Sequence, residues 1–253
     1  MKKLLFYFLI VSILSIQAQE KDEEKPLFYL GGYGGVSYNM HSAGFKQLGD
    51  YPNCCHEFES GSGVGLNAGI FGEYPVTNDF LIYARIGIFR LDGDLSKTEE
   101  IGNSEVRSNN GSQIIDAKSD FNVLSEMPAF GFEPGVAYRL YKGLHATGGL
   151  QFGFITSTNA SQYEELVHPS DAVFYENGTL RRHEYDDFEI PGANSFQLHL
   201  NAGLRYDLPV ASNLFLSPEV KYYFPITEVA PDWKVHYFHF GANAKYEFIP
   251  KEY

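Results

Sequence analysis

Apolar and polar residues alternate without a break from Ser195 to Asp207. Even positions are apolar, from Phe196 to Tyr206, and odd positions are polar or glycine. Because successive side chains of a strand point to opposite faces, this segment is predicted to be a strand with one apolar and one polar face. In a soluble sandwich the apolar face points inward, whereas in an outer-membrane barrel it faces lipid.

The same phase, with even positions apolar, recurs in seven other segments. Strands are predicted over 27–40, 63–74, 80–91, 129–141, 144–155, 195–207, 214–224 and 233–248. Their connections alternate in length. The long ones are 41–62, 92–127 and 156–193, the short ones are 75–79, 142–143 and 208–213, and 225–232 is intermediate. Tight turns on one side and long loops on the other are typical of an up-and-down membrane barrel.

The odd positions carry charge in balance, with five acids and five bases, whereas the centres of the even faces carry none. These residues are Glu73, Arg85, Glu133, Arg139, Arg205, Asp207, Glu219, Lys221, Lys245 and Glu247. A charge that faces lipid at mid-depth costs ~2–4 kcal/mol, whereas opposite charges enclosed in a barrel can pair. The sequence therefore predicts an all-β fold, an eight-stranded antiparallel up-and-down transmembrane β-barrel. The charges could line an ion path, but eight strands leave little lumen, which favours a structural network that fills it.

Aromatic residues fall near both ends of the predicted strands, as at the two interfaces of a membrane. At the short-turn ends they include Tyr74, Phe80, Tyr138, Tyr206, Tyr246 and Phe248, and toward the long loops they include Tyr38, Phe130, Phe154, Phe196, Phe224 and Phe238.

The chain begins like a secreted protein. Residues 1–18 have two lysines, an apolar core and a small residue, Ala18, at the predicted cleavage point, as in a signal peptide. We expect a flexible acidic lead over 19–26, the barrel over 27–249 and an overhang over 250–253. The net charge of −13 becomes −15 once Lys2 and Lys3 are removed, which disfavours nucleic acid as a partner.

The alternating strands and the aromatic last strand, Phe240 to Phe248, resemble the eight-stranded outer-membrane β-barrel superfamily, the OmpA/OmpX-like group. Pro52 to Cys55, then Gly61 to Gly63 and the Pro75 turn, also resemble barrel domains that precede a peptidoglycan-binding domain, which is not expected here. The resemblance implies outer-membrane lipid and lipopolysaccharide as surroundings, and insertion by the barrel-assembly machinery, which reads such a last strand. It also implies N- and C-termini on the periplasmic side of a bacterial outer membrane.

Three histidines, His145, His199 and His239, are predicted to point into the lumen. His199 with Ser217 is a conceivable hydrolase pair, since barrel lipid hydrolases use a serine and a histidine. A hydrogen-bonded lumen histidine is the simpler interpretation, and no catalytic or cofactor site is predicted.

Cys54 and Cys55 are adjacent, so a disulfide between them closes a strained ring. An exported protein favours a bonded form, which is a vicinal disulfide or a link between molecules. A metal-bound thiol pair is the remaining possibility, although the neighbours His56 and Glu57 do not have a metal-site spacing. No cofactor or metal is expected elsewhere.

The long segments are acidic, with eight acids against three bases in 92–127. They are predicted to be solvated loops that contact a ligand or partner outside the cell, with Tyr163, Phe174, Tyr175, Tyr185 and Phe188 packed on the loop or on that ligand. The sequence favours a non-enzymatic outer-membrane protein with a structural or surface-interaction role. The alternative is a small-solute or ion pore, or a lipid-modifying barrel enzyme.

Overall fold

The computed structural model describes residues 26–46, 48, 57–108 and 111–249. Within them the chain forms fourteen β-strands. They are β1 (Phe28–Phe45), β2 (Phe58–Pro75), β3 (Phe80–Arg90), β4 (Gly93–Ser108), β5 (Gly111–Glu126), β6 (Pro128–Tyr141), β7 (Leu144–Ile155), β8 (Asn159–His168), β9 (Ala172–Phe174), β10 (Arg181–Glu189), β11 (Phe196–Tyr206), β12 (Leu208–Ala211), β13 (Leu214–Pro225) and β14 (Trp233–Phe248). No helix in the described part of the chain is long and apolar enough to cross a membrane.

Eight of these described strands close into a barrel, in the order β1, β2, β3, β6, β7, β11, β13 and β14. Each pairs antiparallel with the next, and β1 pairs with both β2 and β14, so no edge is left open. The predicted eight-stranded antiparallel barrel is confirmed. Each predicted strand corresponds to one of the eight.

The strands are strongly tilted. A row of paired residues followed once around the wall starts at Tyr29 and returns to β1 at Asn39, ten residues further along the chain. The row contains Tyr29, Glu73, Tyr83, Gly135, Gly149, Asn201, Tyr223, Tyr237 and Asn39. A stagger of this size over eight strands corresponds to a tilt of about 40° from the barrel axis.

The even positions face outward, as the alternation predicts. Val64, Leu66 and Ile70 on β2 are each about two thirds exposed, at 67%, 65% and 67%. Odd positions such as Asn67 and Glu73 on the same strand are buried. The apolar face therefore lies on the outside of the closed wall, which is the arrangement of a barrel in lipid and the reverse of a soluble sandwich.

Two of the segments expected to be loops, 92–127 and 156–193, are built largely of strands, so that expectation was wrong. The pairing Arg90↔Pro128 between β3 and β6 continues in the same register as Gly93↔Ser125 between β4 and β5. These pairs are one long hairpin with a break at Leu91. The segment 208–213, expected to be a turn, also contains the short strand β12, which pairs with β13.

The physical reason is that a strand beyond the lipid no longer needs an apolar outer face. On β5 the inward face is buried at alternate positions, Ala117, Ser119, Phe121 and Val123, while the outward face is mostly polar, with Ile114 and Leu124 as exceptions. For the same reason β1 continues to Phe45 rather than ending at residue 40, and β2 begins at Phe58 rather than 63.

Beyond the barrel, β4, β5, β8 and β10 form a sheet that continues from β2. We call it the outer sheet. Its far end has a small apolar core of its own, formed by Val106, Ala117, Leu166, Ala172 and Phe174.

Candidate functional site

The lumen is crossed at mid-height by an ion pair between opposite walls. Arg85 on β3 donates two hydrogen bonds of 2.6 Å to the carboxylate of Glu219 on β13. The guanidinium lies over the rings of Tyr33 and Phe71, at 5.0 and 5.7 Å from their centroids. Asn243 Nδ2 donates to the same carboxylate at 2.9 Å. Two parallel bonds fix both side chains in one geometry.

A second carboxylate, Glu133 on β6, is surrounded by donors. Lys221 Nζ donates to its Oε1 at 2.6 Å, and the Tyr83 hydroxyl donates to the same oxygen at 2.9 Å. The Tyr223 hydroxyl donates to Oε2 at 2.7 Å. Each oxygen of this buried acid is therefore satisfied, which removes most of the penalty of burying the charge.

Toward the short turns, two acids share two bases. Glu73 on β2 pairs with Arg205 on β11 and with Lys245 on β14, the latter at 2.9 Å. Asp207 lies 2.6 Å from Lys245 Nζ and 2.9 Å from Arg205 Nε. The four groups form one compact, neutral cluster.

Eight of the ten predicted lumen charges thus meet in the interior, four acids and four bases. The other two do not join these clusters. Arg139 is exposed at the short-turn end of β6, beyond the enclosed part of the lumen, and the pairing of β6 with β7 shifts just after it. Glu247 is half-buried at the same rim, where its carboxylate accepts a hydrogen bond of 3.1 Å from the Tyr29 hydroxyl.

The clusters leave no water-filled passage beside the bases that they contain. The side chains of Arg85, Arg205, Lys221 and Lys245 are at most 2% exposed. Groups that lined an aqueous channel would be exposed to it.

A second closure lies above the charges, at the end of the barrel that carries the outer sheet. Apolar side chains from the wall and from the outer sheet pack together there, and we call this cluster the cap. Its members include Phe45, Phe58, Leu95, Phe121, Phe188 and Trp233. Trp233 is fully buried, and its ring centroid lies 5.2 Å from that of Phe45.

Three side chains, Asn39, His41 and Trp233, form hydrogen bonds that anchor the outer sheet to the barrel rim, at the junction between β3 and β4. Asn39 Nδ2 donates to the carbonyls of Arg90 and Asp92, at 3.1 and 2.9 Å. Trp233 Nε1 donates to His41 Nδ1 at 2.9 Å, and His41 Nε2 lies 3.2 Å from the same Asp92 carbonyl. The first bond places the imidazole proton on Nε2, so the neutral ring satisfies both partners. Burial lowers the pKa of the His41 imidazole to about 4.

The predicted lumen histidines lie in different surroundings. His239 Nδ1 is 3.0 Å from Asn67 Nδ2, and His145 Nδ1 is 3.1 Å from the Gly143 carbonyl. His199 is fully buried beside the ring of Tyr237, with 5.4 Å between the ring centroids.

His199 and Ser217 do not form a catalytic pair. His199 pairs with Pro225 across the β11–β13 ladder. Ser217 lies eight residues from Pro225 along β13, a separation of about 26 Å at the rise of a strand. The hydrolase hypothesis built on these two residues is therefore wrong.

A comparison with models of protein families supplies the remaining observation. The model described as outer membrane protein beta-barrel domain matches residues 17–230. The chain belongs to this family. This outer membrane β-barrel is therefore a protein of the bacterial outer membrane, with its wall in lipid.

Solved outer-membrane structures are similar to this β-barrel at low identity. Ail, the attachment invasion locus protein of Yersinia pestis, is 12% identical, with 87% of this chain and 99% of that chain covered and a TM-score of 0.36. OprG of Pseudomonas aeruginosa is 13% identical, with 91% and 100% covered and a TM-score of 0.37. The protease OmpT of Escherichia coli is 12% identical, with 90% and 99% covered and a TM-score of 0.29. A comparison with curated proteins found no match.

The outer sheet of this β-barrel holds several ion pairs. Lys118 pairs with Glu100 at 2.9 Å, and Arg181 pairs with Glu165 at 2.8 Å. The five aromatic residues predicted to pack on the loop or on a ligand differ in exposure, and Tyr163 and Tyr185 among them are half-buried. Phe174 and Phe188 are buried within the outer sheet and the cap, whereas Tyr175 is 48% exposed.

No group of three or more potential metal ligands is present among the residues described. Cys54 and Cys55 lie outside the described residues, as do the predicted signal peptide and the C-terminal overhang.

Sequence reasoning missed the anchor at the rim and the tyrosines around Glu133. Asn39 and His41 are odd-numbered and so share the inward face predicted for the first strand. Asn39 lies within the predicted strand, whereas His41 was missed because the prediction ends the strand at residue 40, where apolar alternation stops. Tyr83 and Tyr223 are also inward by phase, and only the carboxylate that their hydroxyls contact could not be predicted.

Proposed function

We propose that this outer membrane β-barrel is a non-enzymatic surface protein that does not conduct solutes and that acts through its outer sheet. The observation that carries the proposal is the double closure of the lumen, by buried ion pairs and by the cap. Because no passage runs through the barrel, the outer sheet is the part of the protein that can interact with partners.

The proposal includes an orientation. The outer sheet lies outside the cell, and the short turns and both termini lie in the periplasm. Cleavage after Ala18 and insertion through recognition of Phe240 to Phe248 by the barrel-assembly machinery complete this path. The support is the asymmetry of the connections, since short turns are periplasmic in barrels of this kind.

The chemistry of the outer sheet favours a cationic partner. Bases that we described there are paired with acids, whereas β10 carries further acids. These are Glu184, Asp186, Asp187 and Glu189, all exposed. A surface with this excess of negative charge attracts positively charged partners over several ångströms and repels anionic ones.

Whole cells that express the protein provide the test, since they keep it in its membrane. We expect them to bind immobilised polylysine more than cells without the protein, with binding that falls as salt rises. The variant Glu184→Lys/Asp186→Lys/Glu189→Lys should lose this gain, while Glu184→Gln/Asp186→Asn/Glu189→Gln should lose part of it. Equal binding by the lysine variant and the parent protein, at equal surface amounts, would overturn the proposed surface role.

A further inference from the structure

The lipid-facing side of the barrel carries ionisable groups of one sign. Apart from tyrosines, three side chains at the even, outward positions of the eight described barrel strands can carry charge, and all three are basic. They are Arg90, Lys234 and His236, each half-buried at the end of its strand next to the outer sheet. A base in contact with lipid is costly unless it meets an anion there.

The tilt of the strands brings two of these bases to one height. Pairing from His236 passes through Met40 and Ser62 to Asp94. A row of paired residues shifts toward the outer sheet by about one and a quarter residues at each strand, because the total stagger is ten residues over eight strands. Arg90, four residues below Asp94, is therefore level with His236, roughly 15–20 Å away around the wall. Lys234 lies two residues from His236 on the same strand, β14, and closer to the outer sheet.

His236 is held in place by aromatic neighbours. Its Nδ1 lies 2.9 Å from the Tyr222 hydroxyl, and its ring centroid is 6.2 Å from that of Tyr222 and 5.4 Å from that of Phe224. A hydroxyl that donates to Nδ1 leaves the ring proton on Nε2, the nitrogen on the other side of the ring.

The other two bases keep donors beyond their protein contacts. Lys234 Nζ lies 3.5 Å from Glu228, and both side chains are 44% exposed, so this pair is weak. Arg90 uses Nε with Asp92 at 2.5 Å and one Nη with Glu126 at 3.4 Å. A guanidinium has five N–H groups, so several stay available.

The wall between and below these bases is apolar and exposed. Tyr38 and Val64 lie between His236 and Arg90. Phe238 and Ile88 lie two residues from these bases on the same strands, closer to the middle of the barrel wall. A ligand that fits has acyl chains against this wall and phosphates at the level of the bases. Two separated cationic positions match a headgroup with a phosphate at each end better than a headgroup with one phosphate.

We propose that Arg90, Lys234 and His236 form a binding site for the two phosphates of a bisphosphorylated glycolipid of the outer leaflet, the lipid A part of lipopolysaccharide. The inference rests on the outward orientation proposed above. Bidentate Arg–phosphate and Lys–phosphate contacts supply the binding energy, and the low dielectric of the interface strengthens them.

The test is native mass spectrometry of the full-length protein in detergent, titrated with bisphosphorylated lipid A, with the same lipid after removal of its phosphates, and with phosphatidylglycerol. We expect the bisphosphorylated lipid to bind at least about tenfold more tightly than either of the others. Lys234→Met together with His236→Phe, which keeps a ring against Tyr222, should remove most of this difference.

The matched control is Lys118→Met, which removes a base from the outer sheet away from the lipid and should change nothing. Heat-modified migration on gels verifies that each variant is folded. Equal affinity for the dephosphorylated lipid, equal affinity for phosphatidylglycerol, or an unaffected double variant would each overturn the site. Binding in detergent depends neither on orientation in the cell nor on polylysine attachment, so these results are separable from the test of the proposed function.

Discussion

Arg85 and Glu219 join opposite walls of the barrel. Their strands, β3 and β13, are four apart whichever way round the wall is followed, and 134 residues separate them in sequence. Two bonds of 2.6 Å connect them across the lumen. A contact of this kind forms only when the barrel closes, so the pair ties the interior to the completed fold.

Removing one partner of this pair should be costly. We expect Arg85→Met to lower the free energy of unfolding by about 3–5 kcal/mol, because Glu219 is left as a buried charge with its main partner missing. The double variant Arg85→Met/Glu219→Leu should recover most of that loss, since both charges are gone. Urea unfolding in lipid vesicles measures the parent protein, the single variants Arg85→Met and Glu219→Leu, and the double variant. A double variant as unstable as the sum of its single changes would show that the pair is not coupled as described.

The anchor at the rim depends on a glycine. A Cβ added to Gly93 would lie 2.0 Å from His41 Nε2, whereas one added to Gly102 would meet its nearest neighbour at 3.6 Å. Gly93→Ala should therefore destabilise the cap by about 1–3 kcal/mol, and Gly102→Ala should have a much smaller effect.

Fluorescence of Trp233 reports on this region directly, because it is the single tryptophan of the sequence. A shift of its emission to longer wavelength in Gly93→Ala, with no shift in Gly102→Ala, is the expected result. Identical emission from both variants would mean that His41 can move aside without loosening the cap.

Acid should loosen the same anchor. His41 lies beyond the acyl chains of the lipid, at the level of its neighbours Lys234 and His236, since the outward residues Ser42 and Ser60 beside it are polar and exposed. Burial lowers its pKa to about 4, so between about pH 6.5 and 4 the unfolded chain holds a proton that the folded protein excludes. Stability is therefore complete above about pH 6.5 and falls as pH drops toward 4, by up to about 3 kcal/mol.

A protonated ring would also present an N–H to Trp233 Nε1 in place of the acceptor that this donor needs. We expect Trp233 emission to change over this pH range. His41→Gln cannot be protonated, and its amide oxygen can still accept from Trp233, so its emission should stay constant. Parallel titration curves for the two proteins would assign the change to another group.

How well the sequence predicts the face on which a residue lies depends on the position of that residue relative to the lipid. Leu200 and Leu204 reveal their face because lipid demands apolar side chains on one side of the wall. Phe121 follows the same alternation, but its neighbours in sequence, Asp120 and Asn122, are polar, so the pattern looked like a loop. Alternation shows which side a residue faces and not where the enclosed lumen ends, which is why Arg139 was assigned to the network and lies outside it.

The alternation of apolar and polar residues does not predict which side chains pair across the lumen. Glu133 was expected to be inward, but its three donors come from β3 and β13. Their meeting depends on the stagger of ten residues, which single strands do not encode. Charge balance predicted that pairing occurs, and the register determines which residues pair.

The central claim is that the lumen is closed, and single-channel recording in planar lipid bilayers tests it most directly. The purified full-length protein should give no steady conductance. A variant in which residues 98–120 are replaced by Asn-Gly, which joins the paired strands β4 and β5 by a short turn, should also stay closed, because the buried ion pairs are a separate barrier. Steady channels of nanosiemens size from the parent protein would contradict the claim.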